Sequence, residues 1–385
     1  MKQKITVPNY MENFKCIAGA CEETCCAGWY IAIDEKTYKK YKKVKHPEMK
    51  RRFEKELVTK KGNSPECIAK IKLKNNRCAF LDKDNLCDIY STLGENYLSE
   101  TCTMYPRNTN DLGERKELSL ALSCPEAARI VLLQREPIQF MIKEEEELPV
   151  VGAKLKLKLG APKHFEDYLL PIRQILIAIW QENRYNMQEK WQMFETVMMS
   201  IHQYQCQQDS KRLALFLKEM QNDGYLKAVM KENNVLKDYL SEKKAKLLLD
   251  TLVQIRASKK WPSVSYEAWY RQMLQGLSEK LDSKAYQKGS VLFEEALKRY
   301  PYIFENYFVN YIYERLVPIN QKTVKESFEE ICLYYAWIRL HLIGMGSFKG
   351  SLEEADIVSF IQSFTRVFDH NTLYIAQMKK QLSSH

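Results

Sequence analysis

Four thiols fall within one short run, Cys16-x₄-Cys21-x₃-Cys25-Cys26, followed at once by Ala27-Gly28-Trp29. Cys78 and Cys87 come next, flanking residues 79–86, and then Cys102 and Cys124. Thiolates at short spacing can wrap one soft ion because each loop closure costs little entropy. Four of them complete the tetrahedron of a closed zinc site or the corners of an iron–sulfur cluster. The eight candidates (Cys16, Cys21, Cys25, Cys26, Cys78, Cys87, Cys102 and Cys124) are more than one site needs. Adjacent Cys25 and Cys26 do not readily aim both sulfurs at one small ion, so one of the pair is expected to serve a different role. The favoured pool for a four-thiolate set is Cys21, Cys25, Cys78, Cys87 and Cys102. The six histidines (His46, His164, His202, His341, His370, His385) lie outside this spacing, which argues against a mixed Cys/His finger. Cys206 and Cys332 read as ordinary core residues, and Cys67 stands alone in a loop.

The elements that must position these thiols are short. Residues 29–33 read as a strand-like run after an irregular cysteine loop. Asp34 is an N-cap for a basic helix from Glu35 to about Val44, and Pro47 separates it from a second helical piece, about 48–58. Residues 59–66 form a loop. The stretch from Cys78 to Cys87 reads as strand, polar turn, strand. A helix from Asp88 to about Leu98 leads to Cys102, and Leu118–Ser123 is a short apolar run. Pro125 suits the first turn of a helix reaching about Gln134. Residues 136–162 look like a boundary, with an acidic run at 143–147 and an alternating Lys/Leu arm at 154–159. From Pro162 onward, apolar residues recur at helical spacing, with breaks near Pro171, Pro262, Pro301 and Pro318. That gives eight to ten helices. The expected fold is mainly α: a cysteine-rich module with short strands over 1–135, a linker or arm over 136–162, and an all-helical domain over 163–385. The run Gly344–Gly350 reads as a helix-ending loop, not a phosphate loop. Tyr307, Phe308, Tyr311 and Tyr313 read as core.

Composition narrows the class. The chain has 385 residues, 45% apolar and 28% charged, as in an ordinary globular protein. No apolar run is long enough for a transmembrane helix, and Met1–Pro8 lacks the apolar segment of a secretory signal. The expected compartment is the cytoplasm, where clustered cysteines are metal ligands or catalysts, not disulfides. Residues 1–74 hold 18 Lys and Arg against 9 Asp and Glu. The basic excess thus sits around the cysteines and favours anionic partners. Neither a helix-turn-helix nor a finger spacing accompanies it, so nucleic acid is not the expected partner. The absence of a dinucleotide fingerprint disfavours a Rossmann-type enzyme.

Four segments together resemble a known family: Phe14–Trp29 with its double cysteine; Cys78-Ala79-Phe80-Leu81 with Leu86–Tyr90; Leu98–Cys102 with Tyr105-Pro106-Arg107; and Ser123–Arg129. They are similar to the flagellin lysine N-methylases, the FliB family, and to a shorter relative, the YkgJ-type group described as zinc- or iron-chelating. Phe304–Tyr311 also resembles the longer family. The resemblance implies S-adenosylmethionine as methyl donor, a [4Fe-4S] cluster (zinc being the alternative), and lysines of flagellin as acceptors. The radical pattern Cys-x₃-Cys-x₂-Cys is not met, and an amine can displace a sulfonium methyl by a polar route. Such a transfer needs an acceptor lysine stripped of its proton against a free pKa of about 10.4. It also needs the amine about 3 Å from the methyl, in line. Tyr105 is the candidate base or orienting group, and Arg107 or Arg129 the candidate fork for the donor carboxylate. The rival reading is a non-enzymatic zinc- or iron-binding or redox-sensing module.

Overall fold

The computed structural model describes residues 3–17, 20–28, 31–59, 64–145, 148–160, 162–220, 234–369 and 371–383. Trp29 and Tyr30 of the expected strand, Lys60–Asn63 of the expected loop, Glu146 and Glu147 of the acidic run, and His370 and His385 lie outside them.

The chain begins in the middle of a sheet. Strand β1 (Gln3–Pro8) lies between β8 (Lys116–Leu120), parallel to it, and β9 (Phe140–Glu145), antiparallel to it; β7 (Arg107–Asp111) pairs with β8 at the edge. Ile5 and Val7 share one face, as the two-residue period of a strand demands, and meet Met104 and Leu118. The β7–β8 turn has Gly113 at φ +91°, with the Asp111 carboxylate accepting from its amide at 2.8 Å. The expected boundary at 136–162 is therefore partly sheet. The Lys/Leu arm runs along the same turn: Asp111 and Leu112 exchange backbone hydrogen bonds with Ala153, Leu155 and Leu157. Leu157 joins Leu112, Leu169 and Leu316 in a small core while Lys154, Lys156 and Lys158 stay exposed, which accounts for the alternation.

A small lobe carries most of the cysteines. Helices α1 (Glu35–Lys42) and α2 (Pro47–Glu56) pack beside a three-stranded sheet of β2 (Ala32–Ile33), β4 (Ala69–Ile71) and β3 (Leu57–Thr59). Asp34 caps α1 by accepting from the Thr37 amide at 2.8 Å. The hairpin of β5 (Leu73–Lys74) and β6 (Arg77–Cys78) turns through Asn75 and Asn76, both at positive φ, a conformation asparagine tolerates. Helix α3 (Asp88–Leu93) is shorter than expected because Gly94, at φ +86°, ends it. Helix α4 (Glu100–Met104) follows. The lobe's core is Ile31, Ile33, Tyr41, Met49, Phe53, Ile71 and Phe80, with Cys78 among them.

Helix α5 (Pro125–Leu132) starts at proline as expected. After it come α6 (Leu169–Gln181), α7 (Met187–Gln207), α8 (Ser210–Glu219), α9 (Val235–Tyr239), α10 (Glu242–Ser258), α11 (Val264–Leu277), α12 (Ser283–Arg299), α13 (Pro301–Glu314), α14 (Val324–Lys349), α15 (Glu354–Phe368) and α16 (Thr372–Ser383). That is eleven helices among the described residues after Pro162. The α7–α8 break has no proline; Gln208 turns left-handed there (φ +53°) and Asp209 caps the next helix. Helix α14 is buried on all sides from Glu330 to Gly346 except at Arg339, so it is the buried axis of the domain. It continues through Gly344 and Gly346, and only Gly350 (φ +81°) ends it, so the expected loop is mostly helix. Those glycines are packing residues: a Cβ at Gly344 would lie 2.7 Å from the Met273 carbonyl of α11, and one at Gly276 would strike the Gly344 carbonyl. Tyr10 and Phe14 from the N-terminal segment belong to the same core, and the Tyr10 hydroxyl donates to Asn310 at 2.6 Å. Tyr307, Phe308, Tyr311 and Tyr313 are core, as expected.

Candidate metal centre

Backbone pairing brings Cys26 beside Cys78. The Cys78 amide donates to the Cys26 carbonyl at 2.7 Å, and Ala27 bridges antiparallel to Arg77. The chain then folds back on itself. Leu81 donates to the Cys78 carbonyl and pairs with Cys87, and the Phe80 amide points at the Cys78 sulfur across 3.5 Å. The Asp82 carboxylate accepts from the amides of Asp84 and Leu86, both at 2.8 Å, which sets the tight turn and returns Cys87 towards Cys78. Cys102 arrives on α4, whose start is fixed twice: Ser99 accepts from the Cys102 amide, and Asp34 accepts from the Glu100 amide at 3.0 Å. Cys26, Cys78, Cys87 and Cys102 all pack on the small lobe's core.

The other thiols lie on the side facing α5. Cys124 immediately precedes α5, and the Cys21 thiol donates to the Glu23 carbonyl at 3.0 Å. Arg129 of α5 pairs with Glu22 at 2.5 Å and Glu126 at 2.8 Å, which tethers the Cys21 loop to that helix. Cys25 and Cys26 stand between the two groups, their sulfurs 3.9 Å apart.

All these cysteines are free thiols. Burial pushes Cys78 up to about 11, Cys102 up to about 12 and Cys124 up to about 11. The Cys25–Cys26 hydrogen bond lowers Cys25, with the Arg366 guanidinium assisting, and raises Cys26. Cys25 acts on both groups, on Cys21 on one side and on Cys78, Cys87 and Cys102 on the other. Cys26 feels Cys102 and Cys78, Cys102 feels Cys87 and Cys78, and Cys124 feels Cys21 and Cys16. A donor set of thiols with no histidine suits zinc or an iron–sulfur cluster. Among the described residues, no three cysteine, histidine or carboxylate side chains yet close on a single point. Burial holds Cys78, Cys102 and Cys124 protonated, and ligation would remove those protons and draw the sulfurs together.

The helical domain grips this loop through residues that spacing gave no reason to select. Arg366 of α15 donates to the carbonyls of Thr24 at 2.5 Å and Ala27 at 2.9 Å, and pairs with Glu23 at 3.4 Å. Gln362, one turn earlier, donates to Glu23 at 3.1 Å and to the Ser123 carbonyl at 2.8 Å. Ser263 donates to the same Glu23 carboxylate. The loop holding Cys25 and Cys26 and the residue before Cys124 are thus fixed by one glutamine and one arginine. Gly28 supplies the positive φ (+89°) that takes the chain out of this grip.

Tyr105 is half-buried beside the same loop, its hydroxyl 3.1 Å from Ser123 Oγ, and desolvation raises its pKa. A phenol so placed keeps its proton, which suits an orienting donor better than a base. Arg107 lies over the Phe14 ring at 5.0 Å. The Arg129 fork is already filled by Glu22 and Glu126. Cys206 is exposed beside His202, and Cys332 is buried. Cavities of about 530 Å³ and about 1240 Å³ lie elsewhere, and neither is lined by any of the eight cysteines.

The arrangement defines a helical protein that holds a cysteine-rich loop and lobe against its C-terminal domain. Residues 173–385, which include every residue of that domain in the grip, match the FliB lysine N-methylase C-terminal domain. A stretch of 129 residues, 33% of this chain, is 34% identical to the flagellar biosynthetic protein FliU of Salmonella muenchen and covers 76% of it. At the same identity and length it matches the lysine-N-methylases of Salmonella choleraesuis and Salmonella typhimurium, covering 32% of each. The match thus spans about a third of those two relatives. No solved structure matches. The chain belongs to the FliB lysine N-methylase family. No helix among its described residues is long and apolar enough to cross a membrane.

Proposed function

We propose that this protein transfers methyl groups from S-adenosylmethionine to lysine side chains, those of flagellin first, with a [4Fe-4S] cluster held by its N-terminal cysteines in the cytoplasm. The observation that carries this reading is the grip of Gln362 and Arg366, inside the matched lysine N-methylase region, on the Cys25–Cys26 loop. Two buried, hydrogen-bonded polar side chains rigidify the thiol loop and fix its place against the helical domain.

In the transfer, the acceptor's neutral amine attacks the donor methyl, a carbon–nitrogen bond forms, the carbon–sulfur bond breaks, and S-adenosylhomocysteine leaves. The new ammonium then gives up a proton to solvent. The cluster, when bound, would supply an electrophilic iron to the donor where an exposed cysteine such as Cys16 or Cys25 yields its place. The chain's own share is to hold geometry. Arg366 and Gln362 fix the loop, Tyr105 orients a neighbour through its protonated hydroxyl, and Arg107, over the Phe14 ring, has no carboxylate partner among the described residues. Arg107 is therefore better placed than Arg129 to take the donor carboxylate.

The test is anaerobically purified protein incubated with methyl-labelled donor and flagellin, read by mass spectrometry of flagellin peptides. Label on lysine Nζ supports the reading. Metal-replete protein that binds no donor and labels no lysine would leave a metal-binding or redox-sensing module.

A further inference from the structure

We infer that the adjacent cysteines are divided between two separate four-thiolate sites: Cys26 with Cys78, Cys87 and Cys102, and Cys25 with Cys16, Cys21 and Cys124. The inference rests on the reading of these cysteines as ligands to a soft metal centre, and not on methyl transfer.

Three observations carry it. First, Cys26 is held in register with Cys78 by a backbone hydrogen bond and the Ala27–Arg77 bridge, and the 78–88 turn and the start of α4 bring Cys87 and Cys102 to the same core. This set belongs entirely to the small lobe. Second, Cys124 sits on α5 and packs on the large helical core, and the Cys21 loop is tied to α5 by the Arg129–Glu22 pair. That set lies across the lobe boundary. Third, eight thiols make two complete sets of four and leave none over. Cys26 packs on the lobe's core, whereas Cys25 is exposed and lies outside that core. The pair can therefore serve two centres far more readily than one.

The two sites have different chemistry to offer. The lobe set draws on a compact turn and one core, the setting of a closed structural site. The set around α5 is the more open one: Cys16 and Cys25 are exposed, whereas Cys78 is buried. A centre there would be the one accessible to a ligand from solution.

The test is serine substitution of each cysteine in the full chain, purified without oxygen. Iron, zinc and sulfide are then counted, and peptide-resolved alkylation reports which thiols stay protected. The expected result is two classes. C26S, C78S, C87S and C102S lose one complement of metal and expose each other's thiols, while Cys16, Cys21, Cys25 and Cys124 stay protected. C16S, C21S, C25S and C124S show the reverse. The key pair is C25S against C26S, which should lose different complements. Loss of the same complement in that pair, loss of protection at all eight thiols together, or wild-type protein without bound metal would overturn the division. Circular dichroism at the helical bands identifies a variant that has not folded; for it, Cys→Ala and alkylation of metal-replete wild-type protein after graded chelation give the same readout, protection lost in two steps against one. Methyl transfer is assayed separately, so inactive protein carrying two metal complements would refute the proposed activity and leave the division standing.

Discussion

Arg366 donates to the carbonyl of Ala27 at 2.9 Å across 339 positions of chain. Its guanidinium is 8% exposed and faces Glu23, itself 13% exposed. Removing one partner from so buried a pair costs about 3–5 kcal/mol, because the other charge is left stranded. Arg366→Ala is expected to lower stability by about that amount in denaturant titration. It should also lower metal content per folded chain, since the Cys25 loop loses two anchored carbonyls. Arg366→Lys, with a charge but no fork, should fall between the two. Unchanged metal content in folded Arg366→Ala would mean that the arginine holds the domains together without positioning the thiols.

Tyr105 gives a second prediction. Burial holds its phenol protonated, and Ser123 lies within hydrogen-bonding distance. Tyr105→Phe is expected to change the rate by less than about tenfold and to leave the pH–rate profile unmoved. General-base loss would cost about 10²–10⁴-fold and remove the ionisation from the profile.

Buried His341 and half-buried Glu314 make stability depend on pH in opposite senses. His341 Nδ1 donates to the Trp337 carbonyl at 3.0 Å, its Nε2 accepts from the Tyr266 hydroxyl at 2.8 Å, and burial lowers its pKa to about 4. Below its unfolded pKa the unfolded chain binds a proton that the folded chain refuses, so stability falls as pH drops from about 6.5 towards 4. The full contribution is on the order of 3 kcal/mol. Glu314 behaves oppositely: burial raises it to about 7, so stability falls as pH rises from about 4.5 towards 7. Urea midpoints measured across pH 4–7 should lose the acid-side slope in His341→Gln and the neutral-side slope in Glu314→Gln.

The helix contacts at Gly276 and Gly344 set a packing prediction. Gly276→Ala would drive a methyl into the Gly344 carbonyl, while Gly160→Ala meets nothing within 4 Å. Overpacking of this kind costs about 1–3 kcal/mol or more. Thermal melts should show a clear loss for Gly276→Ala and almost none for Gly160→Ala.

Local signals were readable where local physics decides. Asp34 before a basic helix, Pro125 at a helix start, and apolar residues at helical spacing after Pro162 each carry their own cause, and each element is present. The thiol motif pointed to ligands, and the crowding of Cys25 against Cys26 already suggested two roles. What the sequence did not disclose is everything set by partners far along the chain. The acidic run before Glu146 reads as a boundary, yet it enters the sheet because β1 offers it an open edge. Gly344 looks like a loop residue because the neighbour that needs it, Met273, lies 71 positions away. Glu23, Ser263, Gln362 and Arg366 have no spacing in common, so only the fold reveals that they meet.

The same long-range closure bears on the order of synthesis. The ribosome releases the double-cysteine loop early and Arg366 only 339 residues after Ala27. At cellular elongation rates that interval is on the order of tens of seconds. During it β1 waits for β8 and β9, and the loop's thiols have no clamp. The clamp on the Cys25 loop therefore closes only at the end of translation, and a nascent or prematurely ended chain presents these thiols to whatever oxidant or stray metal arrives first.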